Sequence, residues 1–449
     1  MNNKRIIIVG GNASGPSAAA KAKRVNPSAE VLMFEASPYI STGTCELPYV
    51  LSGLIENTEK IVFFDADKFK DEKGVDVHVN AFVQSIDRRN KEISVVYKSG
   101  NKKVFGYDKL ILTTGAKVKK LSVLTEELLN LFNLKNVSDV NLIKDFILKH
   151  KVKNTIIIGG GYIGMEAAEA LNKLNLNVTL IEKNEFPMNS SEREIQKLIF
   201  ETITKNNVNF IGNVKKIRPI ISDQLIKSIN VDNRIIDCDL VIAATGFEPN
   251  NYLALSTGIK VGNFGGIKVD SKLKTNDASI YAAGDNIEVT NSITNKPMYL
   301  PLATLAHEYG HIAGANAAGE NNSVRPVVKN IAVKIFENVY SSVGLSSKEA
   351  ITEKINFDEV SEIVPNLVKV MPNSKKVFGK ILYDKFSLRL LGASFYGGSE
   401  VTGYADLISA LINQKSKVSA LSEINYNYTP PNSPFINLLS VLGRKITRK

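Results

Sequence analysis

Two glycine clusters, each followed at a set distance by a glutamate, are the residues of this chain best suited to chemistry. Gly159-Gly160-Gly161-Tyr162-Ile163-Gly164 satisfies GxGxxG, and Glu182 stands 18 residues past Gly164. In that spacing the first glycine permits a tight turn, the middle one lets the backbone approach a pyrophosphate, and the third lets a helix pack closely on a strand. The pyrophosphate then meets the free N–H groups of the helix N-terminus, while Glu182 accepts from ribose hydroxyls. A carboxylate there favours NADH; Lys183 beside it works the other way and leaves NADPH admissible. The earlier cluster, Gly10-Gly11-Asn12-Ala13-Ser14-Gly15, keeps the outer glycines but has Asn12 in the middle, and Glu35 lies 20 residues past Gly15. Ala283-Gly284-Asp285 adds a strand end whose carboxylate can face a sugar-alcohol chain. Two dinucleotide sites in one chain imply electron transfer between two bound nucleotides, one of them a flavin.

Sulfur is the second resource. Cys45 and Cys238 are the two cysteines, too few for a disulfide scaffold or a four-Cys metal site, which fits a reducing cytoplasm. The thiolate is the reactive form of cysteine, and a helix N-terminus lowers the thiol pKa. Residues 47–54 read as the start of such a helix, entered through Gly43 and Thr44, so Cys45 is expected to be acidified. Cys238, before a short apolar strand, reads as structural. His307-Glu308-Tyr309-Gly310-His311 spells HExxH, but the other histidines, His78 and His150, belong to other units. No third ligand offers itself, and no metal is expected.

These residues need elements to hold them. Both clusters sit in the same pattern of buried strand, glycine turn, Ala-rich helix and second strand, that is, in βαβ units. Residues 81–107 alternate apolar and polar with a turn at Ser99-Gly100-Asn101, the pattern of a small antiparallel layer. Short strands ending in Thr114-Gly115 and Thr245-Gly246 mark the places where the chain crosses between nucleotide-binding units. Beyond residue 326 the character changes to strands around 330–337 and 377–395 and a helix around 403–413. With 449 residues, 44% hydrophobic, and 56 basic against 45 acidic residues for a net charge of +11, the chain is sized for roughly three domains of about 150 residues each. Disordered, collagen-like and coiled-coil classes are excluded by that composition. The apolar run Ile6–Val9 is too short for a signal-peptide core or a spanning helix, so the expectation is a soluble protein with no membrane partner. The basic excess comes without a nucleic-acid-binding motif, and no nucleic-acid partner is expected.

At Glu35-Ala36-Ser37-Pro38-Tyr39-Ile40-Ser41-Thr42-Gly43-Thr44-Cys45-Glu46-Leu47-Pro48-Tyr49 the sequence resembles the single-cysteine branch of the FAD-dependent pyridine nucleotide–disulfide oxidoreductases. That branch holds coenzyme A disulfide reductases, NADH oxidases and peroxidases, and persulfide reductases. The resemblance covers nearly the whole chain, including Asn12, the two crossings, Ala283-Gly284-Asp285, and Pro301-Leu302-Ala303 leading to Ala313-Gly314-Ala315-Asn316. It implies an α/β protein with two Rossmann-like dinucleotide-binding domains and a C-terminal α+β dimerisation domain. Residues 1–119 and 246–325 would form the FAD-binding domain, 120–245 the NAD(P)H-binding domain and 326–449 the dimerisation domain of a homodimer.

Residue by residue, the resemblance assigns FAD to Gly10, Gly11, Asn12, Ala13, Gly15, Glu35, Ala36, Thr114, Gly115, Gly284, Asp285, Pro301, Leu302 and Ala303. It assigns the nicotinamide dinucleotide to Gly159, Gly161, Tyr162, Ile163, Gly164, Glu166, Glu182, Lys183, Thr245 and Gly246. Tyr162 matches an aromatic that covers the flavin, Glu166 an acid near the nicotinamide, and Cys45 the redox residue. The implied activity is reduction of a low-molecular-weight disulfide or persulfide, with coenzyme A disulfide as prototype. Alternatives are an NADH oxidase or peroxidase working through a Cys-sulfenic acid, and a slow FAD/NAD-binding redox sensor or electron carrier. Thr44 and Glu46 depart from the Asn and Gly that flank the cysteine of coenzyme A disulfide reductases. Val370-Met371 and Asn432 stand where those relatives carry tyrosines. A glutamate beside the thiol opposes its ionisation, whereas Lys21, Lys23, Arg24 and Lys60 could line an adenosine-phosphate pocket.

Overall fold

The computed structural model describes residues 4–121, 123 and 128–447. Runs that are apolar throughout become the centres of two parallel sheets, because a strand covered on both faces has no polar side to present. In the first sheet the strands lie in the order Ile280–Ala282, Lys109–Leu112, Arg5–Val9, Glu30–Phe34 and Asp76–His78. Ile6, Ile7 and Ile8 are fully buried at its centre. In the second the order is Leu131–Phe132, Leu240–Ala243, Asn154–Ile158, Asn177–Ile181 and Asn209–Ile211. Each fingerprint helix, Ser14–Val25 and Tyr162–Lys173, leaves the carboxyl end of a central strand, the end at which open α/β sheets bind ligands.

The Ser14–Val25 helix lies against Ala303–Ala318, and small residues set the closeness of that pair. A Cβ at Gly310 would stand 2.2 Å from the Ser14 carbonyl oxygen, and one at Gly314 would stand 2.1 Å from that of Ala18. Residues 81–106 form the three-stranded antiparallel layer expected from their alternation, Ala81–Asp87, Glu92–Tyr97 and Lys102–Gly106. The two crossings meet as an antiparallel ribbon, Ala116–Val118 against Phe247–Pro249. The Thr245 hydroxyl donates to the Lys119 carbonyl and the Thr114 hydroxyl to that of Asn250, at 2.6 Å.

The C-terminal part is a five-stranded antiparallel sheet ordered Asn330–Ile335, Asn338–Gly344, Leu390–Gly397, Lys376–Asp384 and Phe357–Pro365, backed by the helix Glu400–Asn413. It docks on the second parallel unit through buried polar contacts. Glu169, on the second fingerprint helix, accepts from Lys334 Nζ (2.5 Å), Lys173 Nζ (2.7 Å) and the backbone N–H of Phe336 (2.7 Å). Lys380 sits among Glu359 (2.8 Å), Glu192 (3.1 Å) and Glu194 (3.3 Å). Among the described residues no helix is long and apolar enough to cross a membrane.

Candidate active site

The first cradle is built from the turn after Arg5–Val9. Gly10 has φ +112°, a conformation glycine adopts freely, and a Cβ at Gly15 would stand 1.8 Å from the Gly10 carbonyl oxygen, so both glycines are required by the backbone alone. Ala13 adopts φ 24° at the helix N-cap. Asn12 explains the missing middle glycine: its Oδ1 accepts from the Thr42 N–H at 3.0 Å, tying the turn to the segment that carries Cys45. Glu35 accepts from the N–H groups of Gly11 (2.7 Å) and Ser37 (2.8 Å), which places Ala36 at the same rim. Gly284 abuts Ser14, and Asn286 donates to the Leu112 carbonyl and the Thr114 hydroxyl, fixing the neighbourhood of Thr114 and Gly115.

Several buried polar atoms converge there without a protein partner: Ser14 Oγ, Tyr299 OH and Asn286 Oδ1. Burial pushes the Asp285 carboxyl up, with Lys135 pulling the other way, and burial, Asp285 and Glu248 push the Tyr299 hydroxyl up. A buried carboxylate, a cation and three orphaned polar atoms beside a glycine turn fit a long ligand with a phosphate part and a polyhydroxyl part. Pro301, Leu302 and Ala303 lead into the Ala303–Ala318 helix, whose His307 carbonyl accepts from the Ser17 hydroxyl at 2.8 Å.

The second cradle repeats the geometry. Gly159 has φ +109°, and a Cβ on Gly164 would stand 2.0 Å from its carbonyl oxygen. Gly161 has nothing within 4 Å of where its Cβ would be; the open space in front of it is the approach a pyrophosphate needs. Ile163 follows in the first helical turn. Glu182, buried, accepts from the N–H of Gly160 (2.7 Å) and from Asn184. Lys183 is exposed, and Gly246 takes φ +91° after Thr245. Tyr162 stacks on Tyr340 of the C-terminal sheet, with ring centroids 6.4 Å apart.

Cys45 lies in a short 3₁₀ turn, Thr44–Glu46, and the helix that follows runs only over Leu47–Leu51. The expected acidification is not found. The thiol pKa is raised, by burial first and then by Glu46, Glu166 and Asp285, and the helix that follows is only five residues long. The thiol nevertheless remains exposed, whereas Cys238 is buried and pushed up to about 12 by desolvation and its flanking aspartates. Glu166 is raised to about 7 by burial and by Glu169 one turn further on. It lines a small cavity with Tyr49, Ser52, Glu169 and Lys334.

Cys45, Glu166 and Asp285 thus share one electrostatic neighbourhood drawn from three distant stretches of chain. Lys135 and Tyr299 escape a motif-based reading because each stands alone in sequence, the nearest signal being the capping box of the helix after Lys135, Asn136 with Asp139; Asn286 directly follows Asp285 and Glu169 lies one helical turn past Glu166, so both stand beside residues that the motifs do pick out. Lys21 and Arg24 gather with His307 around His311, whose pKa is lowered by burial and by those cations. Lys23 instead turns onto the Ala29 carbonyl, and Lys60 lies within a separate short turn, Thr58–Ile61. The HExxH segment falls on the Ala303–Ala318 helix, and no group of three metal-ligating side chains occurs among the described residues.

A family model described as pyridine nucleotide-disulphide oxidoreductase matches residues 4–310. The chain is 29% identical over 443 residues to an NAD(P)H coenzyme A polysulfide/persulfide reductase of Pyrococcus horikoshii, covering 98% of each chain. It is 27% identical over 444 residues to a coenzyme A disulfide reductase of Staphylococcus haemolyticus, covering 98% of this chain and 99% of that one. The structure of an NAD-dependent persulfide reductase from A. fulgidus superposes with a TM-score of 0.94 at 28% identity, over 99% of this chain and 83% of the other.

Proposed function

Because the chain belongs to the pyridine nucleotide-disulphide oxidoreductase family, we propose that it binds FAD in the first cradle and NADH in the second and reduces a low-molecular-weight disulfide or persulfide at Cys45. One observation carries this: a single exposed thiol, Cys45, shares its surroundings with Glu166 of the second cradle and Asp285 of the first. FAD bound there would supply the capacity to take up hydride from a nicotinamide and pass an electron pair to sulfur. Glu35 and Asp285 would hold its sugar hydroxyls, and Lys135 and the N–H groups at Ala13 and Ser14 would hold its phosphates. Glu182 orients the adenosine ribose of NADH. Cys45 cycles between a mixed disulfide or persulfide and the free thiol, because no second protein cysteine is near to pair with it.

The substrate class we infer is a coenzyme A-linked sulfur compound. Lys21 and Arg24, beside the His307 and His311 rings, offer a basic patch for its phosphates, and relatives named for coenzyme A match end to end. Residues 1–119 with 246–325, 120–245 and 326–449 serve in this reading as the FAD, NAD(P)H and dimerisation domains. A second copy of the chain would fill the cleft of about 1230 Å³ lined by Leu302, Tyr309, Arg325 and Arg389, with the exposed Val370, Phe435 and Ile436 of the C-terminal part available for that contact. A free redox thiol suits a reducing cytoplasm.

The test is NADH consumption by purified holoenzyme given coenzyme A disulfide, polysulfide, hydrogen peroxide and oxygen in turn. The sulfur substrates should turn over fastest, and Cys45→Ser should lower that turnover at least a hundredfold while the protein keeps its yellow colour. Turnover that survives Cys45→Ser, or a colourless protein that takes up no FAD, would overturn the reading.

A further inference from the structure

The two ribose-facing glutamates are not equivalent, and the difference lies in how many acceptor positions each has left. An ionised carboxylate offers about four lone-pair positions, two on each oxygen. On Glu35, Oε2 accepts from the Gly11 N–H and Oε1 from the Ser37 N–H, which leaves one position on each oxygen, enough for a pair of vicinal hydroxyls. On Glu182, Oε2 accepts from the Gly160 N–H at 2.7 Å, but Oε1 takes both the backbone N–H of Asn184 at 2.9 Å and its side-chain Nδ2 at 2.5 Å. A single position remains, on Oε2.

Two consequences follow for a nicotinamide dinucleotide. The unphosphorylated ribose cannot make the bidentate contact that normally separates NADH from NADPH, so the gain from its 2′-hydroxyl is reduced. A carboxylate that already receives three donors also has its charge partly neutralised and repels a 2′-phosphate less. Around the same turn stands unspent positive charge. Lys183 is exposed, and Lys215 and Lys216 follow Val214, whose N–H donates to the Glu182 carbonyl at 3.2 Å. The side chains of these three lysines make no ion pair among the described residues, although the Asp232 carboxylate accepts from the backbone N–H groups of Lys215 (2.9 Å) and Lys216 (2.8 Å) and leaves Lys183 the clearest of the three; nearby Arg193 is already committed to Glu185 at 2.7 Å and to the ring of Phe186.

We infer that Asn184 is a specificity-determining residue: its side-chain amide occupies the second position on Glu182 Oε1 and, with Lys183 alongside, makes the chain accept NADPH nearly as well as NADH. This rests on the second cradle being the nicotinamide site. Asn184 is a positioning residue acting through Glu182, and its effect belongs to binding rather than to the electron-transfer step.

Calorimetric titration of the FAD-loaded protein with NAD⁺ and NADP⁺ tests this without turnover. The wild-type ratio of dissociation constants, NADP⁺ over NAD⁺, is expected to lie between 1 and about 10. Asn184→Ala should widen it by about 3- to 10-fold, mainly by tightening NAD⁺ as the freed position takes a hydroxyl. Lys183→Ala should widen it too, but by weakening NADP⁺ alone, and more so at low than at high salt. Asn184→Ser carries the same comparison if the alanine variant does not fold. A wild-type ratio above about 10, or a ratio unchanged within about twofold in both Asn184 variants, overturns the inference. If instead the sulfur chemistry proposed above fails while both dinucleotides bind, the titrations still decide the role of Asn184.

Discussion

At Cys45 the surrounding charge opposes the very form of sulfur that reacts. The thiol is exposed, yet burial of its base, Glu46, Glu166 and Asp285 all raise its pKa, so at neutral pH the protonated form is favoured and a bound substrate or oxidised sulfur must be stabilised some other way. Glu46 folds back over Gly43, where a Cβ would meet its Oε2 at 2.5 Å, and so stays beside the thiol. Alkylation of the holoenzyme by iodoacetamide, followed by intact mass, reads this directly. Glu46→Gln should raise the rate at pH 7.5 several-fold by moving the midpoint of the rate profile down. Glu166→Gln should do so only above pH about 7, because Glu166 takes up its own proton near there and below that pH the native side chain is already neutral. Equal effects of the two variants at pH 6 would contradict this assignment of charge. The sequence disclosed Cys45 and Glu46 through their flanking residues, but the sign of the pKa shift depends on Glu166 and Asp285, more than 100 positions away, and on a helix that ends at Leu51.

Among the elements, the glycines separate two duties that look identical in the one-letter string. A Cβ on Gly161 would meet nothing within 4 Å, and its φ is an ordinary negative one, whereas Gly314 holds two helices together, with the Ala18 carbonyl oxygen 2.1 Å from where its Cβ would be. Gly161→Ala should therefore leave the melting temperature within about 1 °C and weaken binding of both nicotinamide dinucleotides at least tenfold, since only a ligand needs that space. Gly314→Ala should do the reverse: overpacking against backbone costs about 1–3 kcal/mol, read as a melt lowered by several degrees with dinucleotide affinity retained. Periodicity and glycine spacing made both parallel sheets and both fingerprint helices readable in advance, because strand, turn and helix are local. What stayed hidden was the partner of each element. That Asn12 stands in for a glycine by accepting from Thr42, or that Thr114 is locked to Asn250, depends on pairings that no local pattern encodes.

For the molecule as a whole, the second cradle must keep its position relative to the C-terminal sheet, since that sheet supplies Tyr340 against Tyr162 and Lys334 against Glu169. Lys380 is the innermost fastening: its side chain is 5% exposed and that of its partner Glu192 4% exposed. Glu192 in turn accepts from the backbone N–H of Ser347 at 2.8 Å and from its hydroxyl at 2.7 Å. Burial works against the charge on Lys380, but Glu359, Glu192 and Glu194 more than offset it and hold its pKa above the ordinary lysine value. A folded-state pKa raised in this way contributes stability in full below the unfolded lysine value of about 10.4 and loses it as pH climbs through the folded value. Lys380→Met keeps the bulk and removes the cation, leaving Glu192 buried without its countercharge, which typically costs about 3–5 kcal/mol. The expected result at pH 7 is a lower melting temperature by thermal denaturation, with the deficit relative to the native chain shrinking as pH climbs from the unfolded lysine value of about 10.4 towards the raised folded one. Glu359→Gln is the control, because that carboxylate is 41% exposed and its loss leaves Lys380 with two partners; it should cost less than about 1 kcal/mol. A Lys380→Met deficit no larger than that of Glu359→Gln would mean that the buried Lys380 cluster does not fasten the two units, leaving that role to the Glu169 contacts and the apolar packing.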